Sequence, residues 1–481
     1  MTGIVKALAA IATLTAMGWA LRAIILPNLK AMRLPEKMAT GYILGFAYMG
    51  WLVNLSLLLF QGVPYWLWRL SCLVIPAAVA LRRQEIMASM RSGWRWSSLS
   101  FNRPSITSLI GLCALCILIF QIVFVLAISL SNTIGPDGLY VWAIKAKAIY
   151  LDSAEKPGAL LNYLTSDSWG FTHNDYPLAL PSVESWIYVW IGKIDEQPVT
   201  LISAFSFTSL LTLMVCHLRR YLPMSLALLP ACLLGTAQIL INYSTTGYAD
   251  VSLAAVFGGA AIFGVDYLCR RDQCSQYLCI ILAGCAALVK NEGALLLILM
   301  IFFMCLTLLL SDGIRQVWSF IKKNVVIVAI IIGPYLLSRI TIPFYRQEVF
   351  SFPSIHLFLQ NRSRISELFP HLLRILTDFN TQGLIWIVTG IFLLASIGYW
   401  KQSSVIFLAG VCTSYLIVIC FSYVFSRWPD YISHVQSSLD RLVIHVAPVA
   451  ALLIGHLWAA IRLDGKTGEN DEFQCESRAP L

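Results

Sequence analysis

Long apolar runs recur along the whole chain, and they constrain its fold more than any other feature of the sequence. A helix of about 20 residues crosses a hydrocarbon core of about 30 Å. Only 12% of the 481 residues are charged and the mean hydropathy is +0.74, whereas soluble domains carry about 25% charged residues. The sequence therefore predicts an all-α, polytopic transmembrane helix bundle of about 13 helices. The runs lie at residues 4–26, 38–60, 65–81, 107–131, 198–217, 223–242, 249–268, 275–289, 293–311, 324–342, 382–398, 404–425 and 440–461.

Basic residues mark alternate gaps between these runs. Examples are Lys37, Arg83, Arg219, Arg271 and Lys322. Because cytoplasmic loops carry an excess of Lys and Arg, we expect these gaps in the cytoplasm, the N-terminus outside and the C-terminal tail inside. Two long polar segments, residues 132–197 and 343–381, then lie on the outer side. Within the first, "LALPSVESWIYVWIGK" predicts a juxtamembrane helix whose Trp186, Tyr188 and Trp190 suit the headgroup layer.

The same pattern divides the chain into three parts. Residues 1–104 form an N-terminal extension of three helices with a basic cytoplasmic loop, and residues 105–462 form the main transmembrane domain. Residues 463–481 are polar, lack periodicity and are predicted to be a disordered cytoplasmic tail. The net charge of +9 does not indicate a nucleic-acid partner, because the basic residues are not gathered into one patch.

Two polar clusters lie in the first outer segment. Asp137 directly follows an apolar run, and farther along the segment stands the stretch "THNDYPLALP". A carboxylate can remove a proton from an acceptor, cations can stabilise a departing phosphate, and aromatic rings can hold a sugar. These clusters therefore favour transfer from a phospho-sugar, although Asp137 alone is also compatible with a solvated turn. The residues that supply these groups are Asp137, Lys145, Lys147, His173, Asp175 and Tyr176.

The order of these motifs, followed by "GYADVSLA" and "ALVKNEGALLL", resembles the GT-C superfamily of polytopic glycosyltransferases. The protein mannosyltransferase and aminoarabinose transferase branch is the most similar, over about residues 107–345. The resemblance implies a GT-C-like fold with Asp137 as the catalytic base. Family members often carry a second acid beside that base, where this chain has Gly138, so Asp175 is the candidate for a second acid.

Four further residues have both a functional and a purely structural interpretation. Asp250 begins a predicted helix, where an acid is favoured by the helix dipole. Lys290 and Glu292 form a polar turn between two helices, and Arg441 lies near the membrane interface. The resemblance implies that Lys290 binds the donor phosphate. Arg441 lies outside the similar region, but its guanidinium can also bind a lipid phosphate, and under the favoured function all four residues belong to the substrate site. No metal site is predicted, since the histidines lack a partner at metal-binding spacing.

The sequence thus favours a membrane glycosyltransferase that moves a sugar from a polyprenyl-phosphate donor to a glycan, lipid or protein acceptor on the outer face. The resemblance implies no cofactor beyond that lipid-linked co-substrate and leaves a divalent cation open. We expect a multi-pass protein of the plasma membrane, such as the bacterial inner membrane, in contact with membrane lipids. The alternatives are a flippase or transporter of lipid-linked sugars, an oligosaccharide ligase or polymerase, and a scaffold without chemistry.

Overall fold

The computed structural model describes residues 2–26, 32–92, 106–345, 349–351 and 353–467. Among these residues there is no β-strand, and one isolated antiparallel bridge joins Phe350 to Ser426. A π-helical turn spans Gly138–Ala143. The α-helices are α1 Thr2–Ile25, α2 Leu34–Phe60, α3 Trp66–Ser71, α4 Val74–Ser92, α5 Ile106–Ser131, α6 Ile144–Ala154, α7 Ala159–Thr165, α8 Ala179–Ile191, α9 Leu201–Leu218, α10 Met224–Gly235, α11 Gln238–Ser244, α12 Ala249–Arg270, α13 Gln273–Val289, α14 Asn291–Asp312, α15 Ile314–Thr341, α16 Ile355–Asn361, α17 Ile365–Thr377, α18 Phe379–Gln382, α19 Ile385–Ala395, α20 Ser403–Ser422, α21 Tyr431–Ile444 and α22 Ala447–Thr467.

Several of these helices are long and apolar enough to cross a membrane, which makes this an integral multi-pass membrane protein. Within the described part of the chain there are 8 such helices, or up to 10 if two bent pairs each count as one span. The bent pairs are α10 with α11, at 71°, and α21 with α22, at 45°. The count of about 13 is not confirmed, because three predicted runs form shorter helices. The run at 65–81 is divided between α3 and α4, α13 has 17 residues, and α19 has 11.

Helix α12 lies at the centre of the bundle. Every residue of its most apolar stretch is buried by other helices. Its middle part is rich in glycine and alanine, which lets neighbouring helices approach closely. Acidic side chains stand near both of its ends, Asp250 in the first turn and Asp266 one turn before the C-terminus. We name the two ends of the bundle the Asp250 end and the Asp266 end.

A buried polar network closes the Asp266 end. The Nε2 atoms of His217 and His456 are 2.9 Å apart, and Nδ1 of His217 lies 3.3 Å from Oδ1 of Asp266. The guanidinium of Arg220 pairs with both Asp266 and Glu36. Since α2, α9, α12 and α22 each supply one or more of these residues, the network ties four helices together.

The first two helices of the N-terminal extension pack tightly against each other. A Cβ on Gly18 would lie 2.0 Å from the carbonyl oxygen of Gly41, and a Cβ on Gly45 would lie 2.0 Å from that of Leu14. Glycine is therefore required where α1 crosses α2. At the Asp250 end, Oδ2 of Asp152 accepts a hydrogen bond from the backbone N–H of Val63 at 2.6 Å, so the segment of residues 132–197 contacts the connection that follows α2.

Helix α8 does not present Trp186 and Tyr188 to a headgroup layer. Both side chains are buried, and Nε1 of Trp186 donates to the carbonyl oxygen of Ala10 at 3.0 Å. Their predicted exposure to headgroups is wrong because α8 packs against α1, α2 and α6, which cover both rings. Trp190 is half-buried. Part of the predicted basic loop, residues 93–105, and residues 468–481 of the predicted tail lie outside the described residues.

Candidate functional site

Asp137 lies at the Asp250 end, between α5 and the π-helical turn. The backbone N–H of Gly135 donates to the carbonyl oxygen of Thr246 at 2.9 Å, which fixes the loop that carries the carboxylate. Gly138 is packed so closely that a Cβ there would lie 2.5 Å from the same oxygen. No larger residue fits beside Asp137, so the absence of a second acid at this position has a steric cause.

Arg441 joins Asp137 to the interior of the bundle. Its Nη1 lies 2.5 Å from Oδ2 of Asp137, and its Nη2 lies 3.4 Å from Oδ2 of Asp250. The guanidinium carbon lies 5.0 Å and 5.7 Å from the ring centroids of Tyr248 and Tyr243. These faces favour a cation held in this position.

Asp250 is fully buried and is the centre of the site. Its Oδ1 lies 2.8 Å from Nζ of Lys290 and 2.9 Å from Nε2 of His445. Nδ1 of His445 in turn lies 2.7 Å from the hydroxyl of Tyr415. Because Asp250 accepts at Nε2, His445 carries its proton there when it is neutral, and Tyr415 donates to Nδ1.

The turn between α13 and α14 places Lys290 at this position. Lys290 has an extended backbone conformation at the break between the two helices, and its Nζ also lies 3.5 Å from Oε1 of Glu292. A Cβ on Gly293 would lie 1.9 Å from the carbonyl oxygen of Ala286. The glycine therefore lets α14 begin against α13, which keeps the charged turn inside the bundle.

The second predicted cluster adjoins the first. His173 lies stacked on Tyr176 with ring centroids 4.7 Å apart, and Oδ2 of Asp175 lies 3.9 Å from Nη2 of Arg339. Burial raises the pKa of Tyr176, and the charges of Glu292 and Asp175 add to that rise. Burial also lowers the pKa of His173, assisted by nearby Lys145. The charge of Glu292 acts on Tyr176 because the segment of residues 132–197 and the turn after α13 face one another.

Several polar atoms in this region are buried without a hydrogen-bond partner. Such atoms are rare in folded proteins and indicate a place where water or a ligand binds. In the described part of the site they include both donors and acceptors. They are His173 Nδ1, Asp175 Oδ1, Thr246 Oγ1, Glu292 Oε2 and Arg441 Nε.

Two predicted cations have other partners. Lys145 is fully buried, and its Nζ donates to the carbonyl oxygens of Val141 at 2.5 Å and Thr172 at 2.9 Å. Burial lowers the pKa of Lys145 to about 7, although the charge of Asp175 opposes the decrease. Lys147 forms an ion pair with Glu196. The structure thus brings together Asp137, Asp250, Lys290, Glu292 and Arg441 but directs the side chain of Lys147 elsewhere.

Sequence reasoning did not assign His445, Tyr415 or Arg339 to the site. The signal for His445 is its spacing of four residues from Arg441 on a helical run, which places both residues on one face. Tyr415 and Arg339 stand inside or at the end of apolar runs, where polar groups in membrane helices indicate function. Among the described residues, no group of three or more His, Cys, Asp or Glu side chains is arranged to hold a metal ion.

Comparison of the chain with protein-family models, curated proteins and solved structures found no match. No relative therefore supplies a function. The side chains themselves indicate what the site binds: buried cations next to a partly exposed carboxylate suit an anionic, hydroxyl-bearing ligand at the edge of a membrane.

Proposed function

We propose that the protein is a membrane glycosyltransferase that takes a sugar from a polyprenyl-phosphate donor and passes it to an acceptor on the outer face. The observation that carries this proposal is the contact of Arg441 with both Asp137 and Asp250. It sets a carboxylate that water can reach directly beside cations that are held in the bundle. Proton removal and stabilisation of a leaving phosphate require these two kinds of group side by side.

The unpartnered atoms match the chemistry of such a donor. Arg441 Nε–H offers a charged donor to phosphate oxygens, as a guanidinium does in many phosphate sites. Oδ1 of Asp175 and Oε2 of Glu292 offer acceptors to sugar hydroxyls. A sugar phosphate carries both partner groups, the phosphate oxygens and the sugar hydroxyls, whereas a simple lipid tail carries neither.

In the proposed reaction, the acceptor hydroxyl oxygen attacks the anomeric carbon of the donor sugar. A new carbon–oxygen bond forms, and the bond between the anomeric carbon and the phosphate oxygen breaks. The phosphate keeps the bonding electron pair and is stabilised by Arg441 and Lys290, while the hydroxyl proton passes to the carboxylate of Asp137. Asp250 holds the two cations in position, His445 holds the carboxylate of Asp250, and neither of them reacts.

The isoprenoid chain of the donor would remain in the bilayer. Each CH₂ group kept out of water contributes about 0.8 kcal/mol, so a long prenyl chain keeps its phosphate at the membrane surface. The Asp250 end lies where such a phosphate would arrive, because spanning helices α5, α12 and α14 begin or end there.

A transporter of lipid-linked sugars is the second candidate. The buried ion pair of Asp250 and Lys290 favours it, since ionisable residues inside membrane proteins often mark a transport path. The partly exposed Asp137 favours the transferase, because a transport path requires no proton acceptor at its mouth.

The deciding experiment uses the full chain in lipid nanodiscs with radiolabelled polyprenyl-phosphate sugars and envelope glycans from cells that lack the gene. Radioactivity in the glycan fraction that depends on Asp137 supports the transferase. Movement of the labelled lipid across proteoliposome membranes, without any sugar transfer, would instead support the transporter and contradict the transferase.

A further inference from the structure

An aromatic surface stands beside the candidate site on the same outer segment. Tyr345, Trp169 and Phe171 are 40%, 41% and 60% exposed. The ring centroids of Trp169 and Phe171 are 6.2 Å apart. We name these three residues the aromatic platform. It is close to the site, since the backbone N–H of His173 donates to the carbonyl oxygen of Gly170, at 3.1 Å, within the platform segment.

The platform is held by buried hydrogen bonds. Oγ1 of Thr172 donates to the carbonyl oxygen of Trp169 at 2.6 Å, and the hydroxyl of Tyr163 bonds to the same Oγ1. Nδ2 of Asn174 donates to the carbonyl oxygens of Tyr163 at 2.8 Å and Ser166 at 2.9 Å. Thr172 and Asn174 are fully buried. These bonds fix a loop whose aromatic side chains nonetheless point outward, as expected of a preorganised binding surface.

Gly170 completes the platform. A Cβ at this position would lie 2.2 Å from Cε1 of Tyr345, so only glycine lets that ring pack against the backbone between Trp169 and Phe171. The backbone N–H of Tyr345 donates to the carbonyl oxygen of Leu164 at 3.1 Å. The two long outer segments therefore meet at this surface.

The neighbouring polar residues indicate what covers the platform. Asp167 and Ser168 are exposed directly before Trp169. A carboxylate is unfavourable in the acyl region of a membrane. A pyranose ring, in contrast, presents C–H groups on one face and hydroxyls around its rim. The C–H face suits an electron-rich aromatic face, and the rim suits a carboxylate and a hydroxyl.

We infer that the aromatic platform binds a pyranose ring of the acceptor, so that the acceptor is a glycan. The identification of the bound sugar as the acceptor rests on the proposed function, but the binding of the sugar can be measured without any transfer. The test uses the full chain in nanodiscs and saturation-transfer NMR with the methyl pyranosides of mannose, glucose, galactose and N-acetylglucosamine.

At least one methyl pyranoside should receive saturation on its ring protons, and Trp169→Ala should reduce that signal at least about tenfold. Trp169→Phe keeps an aromatic face and should retain most of the signal. Trp428→Ala is the matched control, because Trp428 is 43% exposed and lies stacked on His434 outside the platform; its signal should equal that of the wild type.

Two outcomes would overturn the inference. One is the absence of saturation for all four probes, or an equal signal in Trp169→Ala. The other is strong quenching of Trp169 fluorescence by brominated phospholipids, taken as the difference between wild type and Trp169→Phe, which would place the platform in the membrane. Asp137→Asn should keep the sugar signal while it loses transfer. A wild-type protein that binds the pyranoside but transfers nothing would refute the proposed function and leave this inference standing.

Discussion

Nη1 of Arg441 lies 2.5 Å from Oδ2 of Asp137, although 304 positions separate the two residues in the sequence. The contact joins a loop carboxylate to a guanidinium whose other nitrogen faces buried Asp250. Arg441 therefore neutralises Asp137 in this structure. Under the proposed function, a donor phosphate that contacts Arg441 would compete for the guanidinium and release Asp137 to accept a proton.

Asp137→Asn should abolish most transfer and leave the fold intact. The Asp137 side chain is 38% exposed, and an ion pair this accessible to water contributes about 0–1 kcal/mol to the free energy of unfolding. The amide cannot accept the proton, so the rate should fall by about 10²- to 10⁴-fold. The measurement is the transfer rate in nanodiscs together with the thermal unfolding temperature. Asp175→Asn is the comparison: if it causes the larger loss, Asp175 is the base.

Asp250→Asn should destabilise the protein strongly. It leaves buried Lys290 with Glu292 as its remaining acidic partner at 3.5 Å, and loss of one partner from a buried ion pair costs about 3–5 kcal/mol. Adding Lys290→Met removes the uncompensated charge, so the double variant should be more stable than Asp250→Asn alone. Thermal unfolding of the two single variants and the double variant gives the interaction free energy between Asp250 and Lys290. Additive losses would show that the two side chains do not interact.

The stability of the protein should depend on pH through Lys145. Because burial lowers the pKa of Lys145 from 10.5 to about 7, the unfolded chain binds a proton between these values that the folded chain lacks. The free energy of unfolding therefore rises with pH across this window, and the penalty is fully present below it. The unfolding temperature of wild type minus that of Lys145→Met should increase from about pH 7 to about pH 10. A constant difference would show that folded Lys145 stays charged.

Gly45→Ala should weaken the packing of α1 against α2 within the N-terminal extension. Its Cβ would lie 2.0 Å from the carbonyl oxygen of Leu14, and α1 and α2 would have to separate. Overpacking of this kind costs about 1–3 kcal/mol. Gly390→Ala is the matched control, since Gly390 also lies in a helix but has open space where the Cβ would stand. The yield of monodisperse protein in detergent should decrease for Gly45→Ala and not for Gly390→Ala. Equal yields of the two variants would contradict the close contact of α1 with α2.

The membrane orientation can be tested with single cysteines. Glu155→Cys lies in the first outer segment, and Met224→Cys begins α10 at the opposite end; both positions are exposed. In a background without Cys113, Cys116 and Cys475, an impermeant thiol reagent should label intact cells at position 155 and not at 224, because the basic loops face the cytoplasm. The reverse pattern would place the candidate site on the cytoplasmic side.

Much of the site was foreseeable because charged residues are conspicuous in an apolar chain. Asp137, Asp250, Lys290 and Arg441 each follow or interrupt an apolar run, and the structure places them in one connected cluster. Alternation of basic and uncharged loops predicts which helix ends share a side of the membrane. Residues at shared ends can meet even when they are far apart in the sequence.

Other features depend on tertiary packing that local patterns do not record. The aromatic run of α8 is typical of an interfacial helix, yet Tyr188 is fully buried because three helices surround it. Lys145 seemed a phosphate ligand, but two backbone carbonyls hold its ammonium. His445 was overlooked because its partner Asp250 lies on another helix. Hydropathy alone does not fix the helix count where runs such as 223–242 bend sharply.

Asp250 and Asp266 are anchored at opposite ends of α12, 266 − 250 = 16 residues apart, which corresponds to about 24 Å at 1.5 Å per residue. Both carboxylates are held by cations from other helices. The helix therefore acts as a rod of fixed length and fixed rotation. One inserted residue would shift one of the two carboxylates by about 1.5 Å and rotate it by about 100° about the helix axis, which would break its ion pairs. Under the proposed function, movements that admit the lipid donor would come from the loops and helices around α12, while α12 itself keeps the distance between its two anchored ends constant.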